Sequence, residues 1–393
     1  MKKIAILIMS IFTFLSCNKT DKEILNKTIS KLNSLETIEY ELENKNFIKS
    51  FARKTIDTAN CYIDFTSKDT LIGAKYQFVS KYGEQVFSGS QEFIVHSEKE
   101  IVLYTDQPIK NRVLSTMFLQ YSVFEIRKTL PKLVIDSTAF ISRLKDTVID
   151  NNDCYKFNIL MTEKMINIGG ELTKFEGNNT DSLNYLLTIS KKDYLPVQFG
   201  LFYPENNGYK ISTFKKLKEI SRKSDSIWSY NRMYKGYLRS TYAEHYNALK
   251  MSNKSKIGLD APDWELPMVQ GDFIQLSEIK EDLVLLEFWF PHCKGCVLAI
   301  PEINKLQEKY KNKGLMVLGI EITEKPESDL IEYIQEQKIE YPTLYNGKET
   351  AKKYGVYAAP TFFLIDKKGK IIYTSVGLDK KQLIKKIDKN LPN

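Results

Sequence analysis

Histidine is scarce in this 393-residue sequence: His96, His245 and His292 are all there is, and three residues so spaced leave no His-rich metal cluster to propose. Long apolar runs are missing as well. The most apolar stretch, residues 4–15, would rise only ~18 Å as a helix against a hydrocarbon core of ~30 Å, which makes a permanent transmembrane anchor a poor reading. With 57 Lys+Arg against 49 Asp+Glu, opposite charges nearly balance, and no charged tail or low-complexity arm is expected. Arginine is absent from residue 256 onward, where 20 Lys face 21 acids, so the basic surplus lies wholly in residues 1–255. It is scattered rather than gathered on a basic helix, and nucleic-acid binding has no support.

What is present suffices for folded cores. Hydrophobic residues make up 42% and aromatics 12%, and at ~150 residues per domain the length allows two or three domains.

The chain opens Met1, Lys2, Lys3, continues apolar, and places Ser16 before Cys17. A basic n-region, a short h-region and a small residue before the cut describe a secretory signal. The stretch FLSC, with Phe14 where Leu is commoner, resembles the lipobox of bacterial lipoproteins. That resemblance implies a signal peptide over 1–16, acylation of Cys17, a polar tether over 17–23, and a lipid-anchored place in the bacterial cell envelope facing the periplasm or the cell surface. Several acyl chains hold where one does not. An ordinary secretory signal with an incidental cysteine is the alternative.

With Cys17 acylated, Cys61, Cys154, Cys293 and Cys296 remain, in a compartment that permits disulfides. Cys61 and Cys154 sit on separate strand-like runs, CYIDF and CYKFNIL. They form a structural disulfide if those strands are neighbours; otherwise they are small buried hydrophobes.

From Ile24 to Leu35 apolar residues recur at helical spacing, and from Ile38 to Leu42 they alternate with glutamates, so a helix precedes a half-buried strand. Further short strand patterns follow, with a helical segment around residues 113–130. The economical architecture over 24–220 is an α+β domain: an antiparallel sheet with one or two packed helices. Its order resembles lipoprotein-carrier (LolA-like) domains, which implies a curved sheet and a concave apolar surface able to hold acyl chains or a partner; an ordinary filled core is the alternative. Residues 221–255 read as a connecting helix and linker, with SNKSK marking a boundary before a second domain at 256–393.

That domain carries the chemistry. LVLLEFWF is a buried-strand run, Pro291 and His292 break it, and Cys293-Lys294-Gly295-Cys296 opens a helix. A thiol at a helix N-terminus faces unpaired N–H groups and the positive dipole end, both of which favour thiolate. Lys294 and a protonated His292 would add positive charge. Cys293 is therefore the expected nucleophile, with a pKa below ~8.5, and Cys296, one turn on, the buried resolving thiol.

Strand, CxxC and helix together resemble the thioredoxin fold. Pro301 falls where thioredoxins kink the active-site helix. Ala359-Pro360 before FFLID resembles their cis-proline loop, which implies backbone groups that pair with a substrate chain. An extra strand-helix unit before Pro360, and IGLDAPDWEL at the start of the domain, are similar to the TlpA-type thiol-disulfide oxidoreductases. The resemblance implies an α/β thioredoxin-like fold over 256–393 and a redox-active dithiol needing no cofactor. It places Glu287 at the buried carboxylate before the CxxC and Glu324 at an acid close to the dithiol, either of which shuttles a proton if burial raises its pKa. His292 stands where relatives commonly have Trp, and would favour the reduced form.

Rival readings fail or wait on structure. A metal site at CKGC lacks further ligands at suitable spacing. A peroxiredoxin needs Thr where Phe290 stands and an Arg the domain does not have. An envelope carrier for lipid or lipoprotein, with the thioredoxin-like half as accessory, is the serious alternative. The favoured reading is a membrane-anchored protein-disulfide reductase, with disulfide-bearing envelope proteins as clients and a membrane thiol-transfer partner as electron donor.

Overall fold

The structure, a computed structural model, describes residues 20–48, 53–67, 71–175, 182–203 and 208–391. Cys17 and the expected signal segment lie outside them. Among the described residues no helix is long and apolar enough to cross a membrane. The chain divides into two compact units, the first reaching Tyr237 and the second beginning at Leu238.

In the first unit, helix Asp21–Ser34 starts with a capping box: Glu23 N–H donates to the Thr20 hydroxyl at 3.3 Å and Thr20 N–H to the Glu23 carboxylate at 3.0 Å. Ile24, Leu25 and Leu32 turn into the core. Strand Thr37–Ile48 follows, burying Ile38, Tyr40 and Leu42 and pairing antiparallel with Gly208–Glu219. The unit is mostly antiparallel sheet, with its main core between the sheet and the helices, built on Tyr76, Phe78, Phe124, Phe157, Tyr185 and Phe199. One cleft on its strands is lined by the charged Glu39, Glu41, Lys216 and Lys218 together with Tyr40, Tyr62 and Val79.

Three local expectations are corrected here. The helix expected around residues 113–130 is two, Lys110–Leu114 and Val123–Leu133; Tyr121 adopts a φ of 55° and Ser122 caps the second. The connecting helix expected within 221–255 is interrupted, because Trp228 stacks on Tyr62 and Tyr230 on Tyr104, pinning that stretch to the first unit. Only Tyr242–Lys254 forms a long helix, and it lies in the second unit, which therefore begins ahead of residue 256. The Cys61–Cys154 bridge does not form. Their strands, Arg53–Asp64 and Asn152–Met161, are separated in the sheet by Thr37–Ile48, Gly208–Glu219, Pro196–Tyr203 and Leu183–Ser190. Five interstrand steps of ~4.8 Å put the two backbones roughly 24 Å apart along the sheet, where a disulfide tolerates ~7 Å. Both are buried free thiols, and burial pushes both thiols up.

The second unit runs β1 (Leu283–Trp289), α1 (Lys294–Tyr310), β2 (Leu315–Glu321), α2 (Glu327–Gln337), β3 (Thr343–Leu344), α3 (Lys348–Lys353), β4 (Thr361–Asp366), β5 (Ile371–Val376) and α4 (Lys380–Asn390). The sheet order is β3-β2-β1-β4-β5, with β1 parallel to β2 and antiparallel to β4. Every residue of β1 is buried, as a central strand covered on both faces requires. Leu283, Leu285 and Trp289 pack with Ile303, Leu306, Leu383 and Ile387 from α1 and α4; Val284, Leu286 and Phe288 pack with Trp264, Tyr354 and Phe363 on the other face. By period-2 alternation Glu287 shares the α1 face with Leu285 and Trp289. This is the expected α/β thioredoxin-like arrangement, and it aims the C-terminal end of β1 at the N-terminus of α1.

Candidate active site

Between β1 and α1 the chain turns through Phe290, Pro291 and His292, whose φ of 61° redirects it into the helix. Cys293 is the N-cap of α1, its Sγ accepting the Cys296 N–H at 3.2 Å. The sulfur thus takes the place usually held by a capping oxygen, next to the helix's unpaired donors. The two cysteines are joined as a disulfide with Cα atoms 5.1 Å apart. Both are buried, at 6% and 2% exposure, and Cys293 is the less enclosed.

Opposite the disulfide runs the loop carrying the cis Ala359–Pro360 peptide bond. The Ala359 carbonyl oxygen lies 3.4 Å from Cys293 Sγ. Thr361 Oγ1 donates to Ala358 O at 2.6 Å and Gly377 N–H to Pro360 O at 2.8 Å, fixing the loop from both sides. Gly295 makes the close approach feasible: a Cβ there would sit 3.0 Å from Pro360 Cδ. The dithiol, Ala359 and Pro360 therefore come together as the sequence suggests.

Glu287 is fully buried, and burial pushes its carboxyl up to about 7, against the opposing pull of its hydrogen bond from Tyr341. Glu324 differs from expectation. It is exposed, at a φ of 57°, and ion-paired to Lys348 at 2.9 Å; without burial the ground for a proton shuttle there disappears. The enclosed acid at that strand end is Glu321, whose Oε1 accepts the Thr323 N–H at 2.6 Å and so caps its own turn. His292 is exposed, and partial desolvation with Lys325 nearby lowers its pKa. Both effects disfavour, in the oxidised chain, the second positive charge expected beside Cys293. Lys294 is exposed on the first turn of α1.

Two tyrosines from the segment after β2 complete the site and escaped the sequence reading. Tyr333 on α2 accepts the His292 N–H at 3.0 Å, stacks on Trp289 at 5.7 Å and meets the His292 ring edge-on at 5.0 Å. It therefore braces the residue preceding the dithiol. Tyr341 donates its hydroxyl to Glu287 Oε2 at 2.6 Å. The one available hint was the pairing of Tyr333 and Tyr341 in the inserted stretch IEYIQEQKIEYP.

A capped, helix-terminal disulfide beside a cis-proline loop and a buried acid can exchange with an incoming thiolate, and its reduced dithiol with another disulfide. Comparisons with known proteins agree. The model of the AhpC/TSA family matches residues 257–374. The chain is 32% identical over 139 residues to the thiol-disulfide oxidoreductase ResA of Bacillus thuringiensis, covering 35% of this chain and 80% of the relative. It is 31% identical over 150 residues to the thioredoxin-like protein YneN of Bacillus subtilis, covering 36% of this chain and 88% of that protein. The thioredoxin domain of a thiol-disulfide oxidoreductase from Bacteroides vulgatus is 26% identical over 35% of this chain and 98% of that one, with a TM-score of 0.32, a superposition on which the assignment does not rest. Through its second unit the chain belongs to the thioredoxin-like thiol-disulfide oxidoreductases of the AhpC/TSA family.

Proposed function

We propose that the second unit reduces disulfides in proteins outside the cytoplasm, held at the envelope membrane by acylated Cys17. The observation that carries this reading is the Cys293–Cys296 disulfide at the N-terminus of α1, with Ala359 O 3.4 Å from Cys293 Sγ. In the reduced enzyme the Cys293 thiolate attacks one sulfur of a client disulfide. A mixed disulfide forms and the client's other sulfur leaves as a thiolate that takes a proton from solvent. Cys296 then passes its proton to Glu287 and attacks Cys293 Sγ; the second client sulfur leaves, and the enzyme departs with the intramolecular disulfide. A membrane thiol-transfer partner supplies the two electrons that restore the dithiol. The backbone beside Pro360 is the surface against which a client chain pairs.

Insulin reduction by the full chain tests the proposal. Cys293→Ser abolishes turnover, and Cys296→Ser accumulates a mixed disulfide at Cys293. Full activity in Cys293→Ser would overturn the reading.

A further inference from the structure

We infer that Tyr341 is a positioning residue that holds the Glu287 carboxylate for proton exchange with the Cys296 thiol. The inference rests on the role proposed above for Glu287 and deepens it.

Four observations converge on this pair. The phenol oxygen lies 2.6 Å from Glu287 Oε2, while Glu287 Oε1 is buried with no hydrogen-bond partner among the described residues, so among them Tyr341 is the one donor steadying the carboxylate. The ring is seated by design of the strand beside it: Gly319 on β2 is the register partner of Glu287, and a Cβ there would come within 3.0 Å of Tyr341 Cε2 and 2.8 Å of Trp289 Nε1. Only a glycine leaves room for both rings. The seat is tied down, because Gly319 N–H donates to the carbonyl of Pro342, the residue after Tyr341, at 2.9 Å. On the opposite side of Glu287 its register partner on β4 is Phe362, which is buried and offers no competing donor.

The chemistry follows from this placement. A buried carboxyl without a donor stays protonated and cannot accept a thiol proton; one with several donors stays ionised and cannot return it. A single neutral donor leaves the acid between those limits. Burial pushes the Tyr341 phenol well up, so it remains protonated and donates across the working pH range.

The test uses the full chain, reduced and mixed with insulin in single turnovers from pH 5.5 to 8.5, with the Cys293 mixed disulfide trapped by acid quench and the pH profile taken from its decay, the Cys296 step alone. Loss of a hydrogen bond to a charged group raises the acid's apparent pKa by about one unit. Tyr341→Phe, with its thermal melt recorded as a check on folding, therefore moves the acidic limb of the profile up by that amount, and the rate recovers at pH 8.5. Replacing Tyr341 by 3,5-difluorotyrosine, a stronger donor whose fluorines fall on the Cε positions beside Gly319 and whose melt is therefore recorded as well, moves the limb the other way. Glu287→Gln removes the limb, and adding Tyr341→Phe to it changes nothing further. A limb lost in Glu287→Gln but unmoved by either change at Tyr341 overturns the inference and leaves Glu287 its role. A limb that survives Glu287→Gln overturns both.

Discussion

Glu287 and Tyr341 form a buried acid–phenol pair 54 positions apart in sequence, joined at 2.6 Å beneath the active-site helix. The carboxyl sits at about 7 because burial outweighs the phenol's hydrogen bond. An unfolded glutamate titrates near ~4.3, so between those values the folded chain binds this proton more tightly. Stability is therefore lost as pH rises through that window. Relative to wild type, Glu287→Gln gains about 2 kcal/mol on going from pH 5 to pH 8, an order-of-magnitude figure. Urea unfolding of the oxidised chain at the two pH values checks it; an unchanged gap would mean that Glu287 is not buried as an acid.

Partial desolvation, with Lys325 close by, lowers the His292 pKa in the oxidised chain and so disfavours its charged form. The imidazole therefore contributes little to the charge around Cys293. His292→Gln is expected to shift the dithiol potential by less than ~15 mV in a glutathione redox buffer at pH 7. A shift beyond ~30 mV would restore it as an electrostatic partner of the thiolate.

Glu324 is exposed and paired with Lys348, and exposed ion pairs contribute under ~1 kcal/mol. Glu324→Gln should leave insulin reduction within about two-fold of wild type and stability within ~0.5 kcal/mol. A tenfold loss of kcat/KM, with folding intact, would return it to the site.

Much of the site was legible because it is local. LVLLEFWF, the CxxC, Pro301 and Ala359-Pro360 each announce themselves within a few residues, and β1, the helix start and the cis bond followed. Glu287 was readable through the resemblance of that strand to the one before the CxxC of thioredoxins. Glu324 was misjudged because sequence position places a residue near a strand end without saying whether its side chain turns inward. Tyr333 and Tyr341 act across long sequence gaps, and only the folded sheet shows which backbone N–H and which carboxyl they meet. In the first unit, alternation revealed strands such as Thr37–Ile48, but alternation carries no strand order, and the proposed Cys61–Cys154 pairing depended on order alone.

That pairing has its own check. Cys61 and Cys154 are buried free thiols, so iodoacetamide should label both only after denaturation, while non-reducing peptide maps of the oxidised chain show the 293–296 link. A cross-linked peptide containing both Cys61 and Cys154 would contradict the strand order.

The mechanism turns on which sulfur reacts. In the reduced chain, alkylation followed residue by residue across pH 4–10 should give Cys293 an apparent pKa below ~8.5 and leave Cys296 slow at every pH. If Cys293 titrates as an ordinary thiol, or if Cys296 is modified first, attack from the N-terminus of α1 is not how this enzyme works.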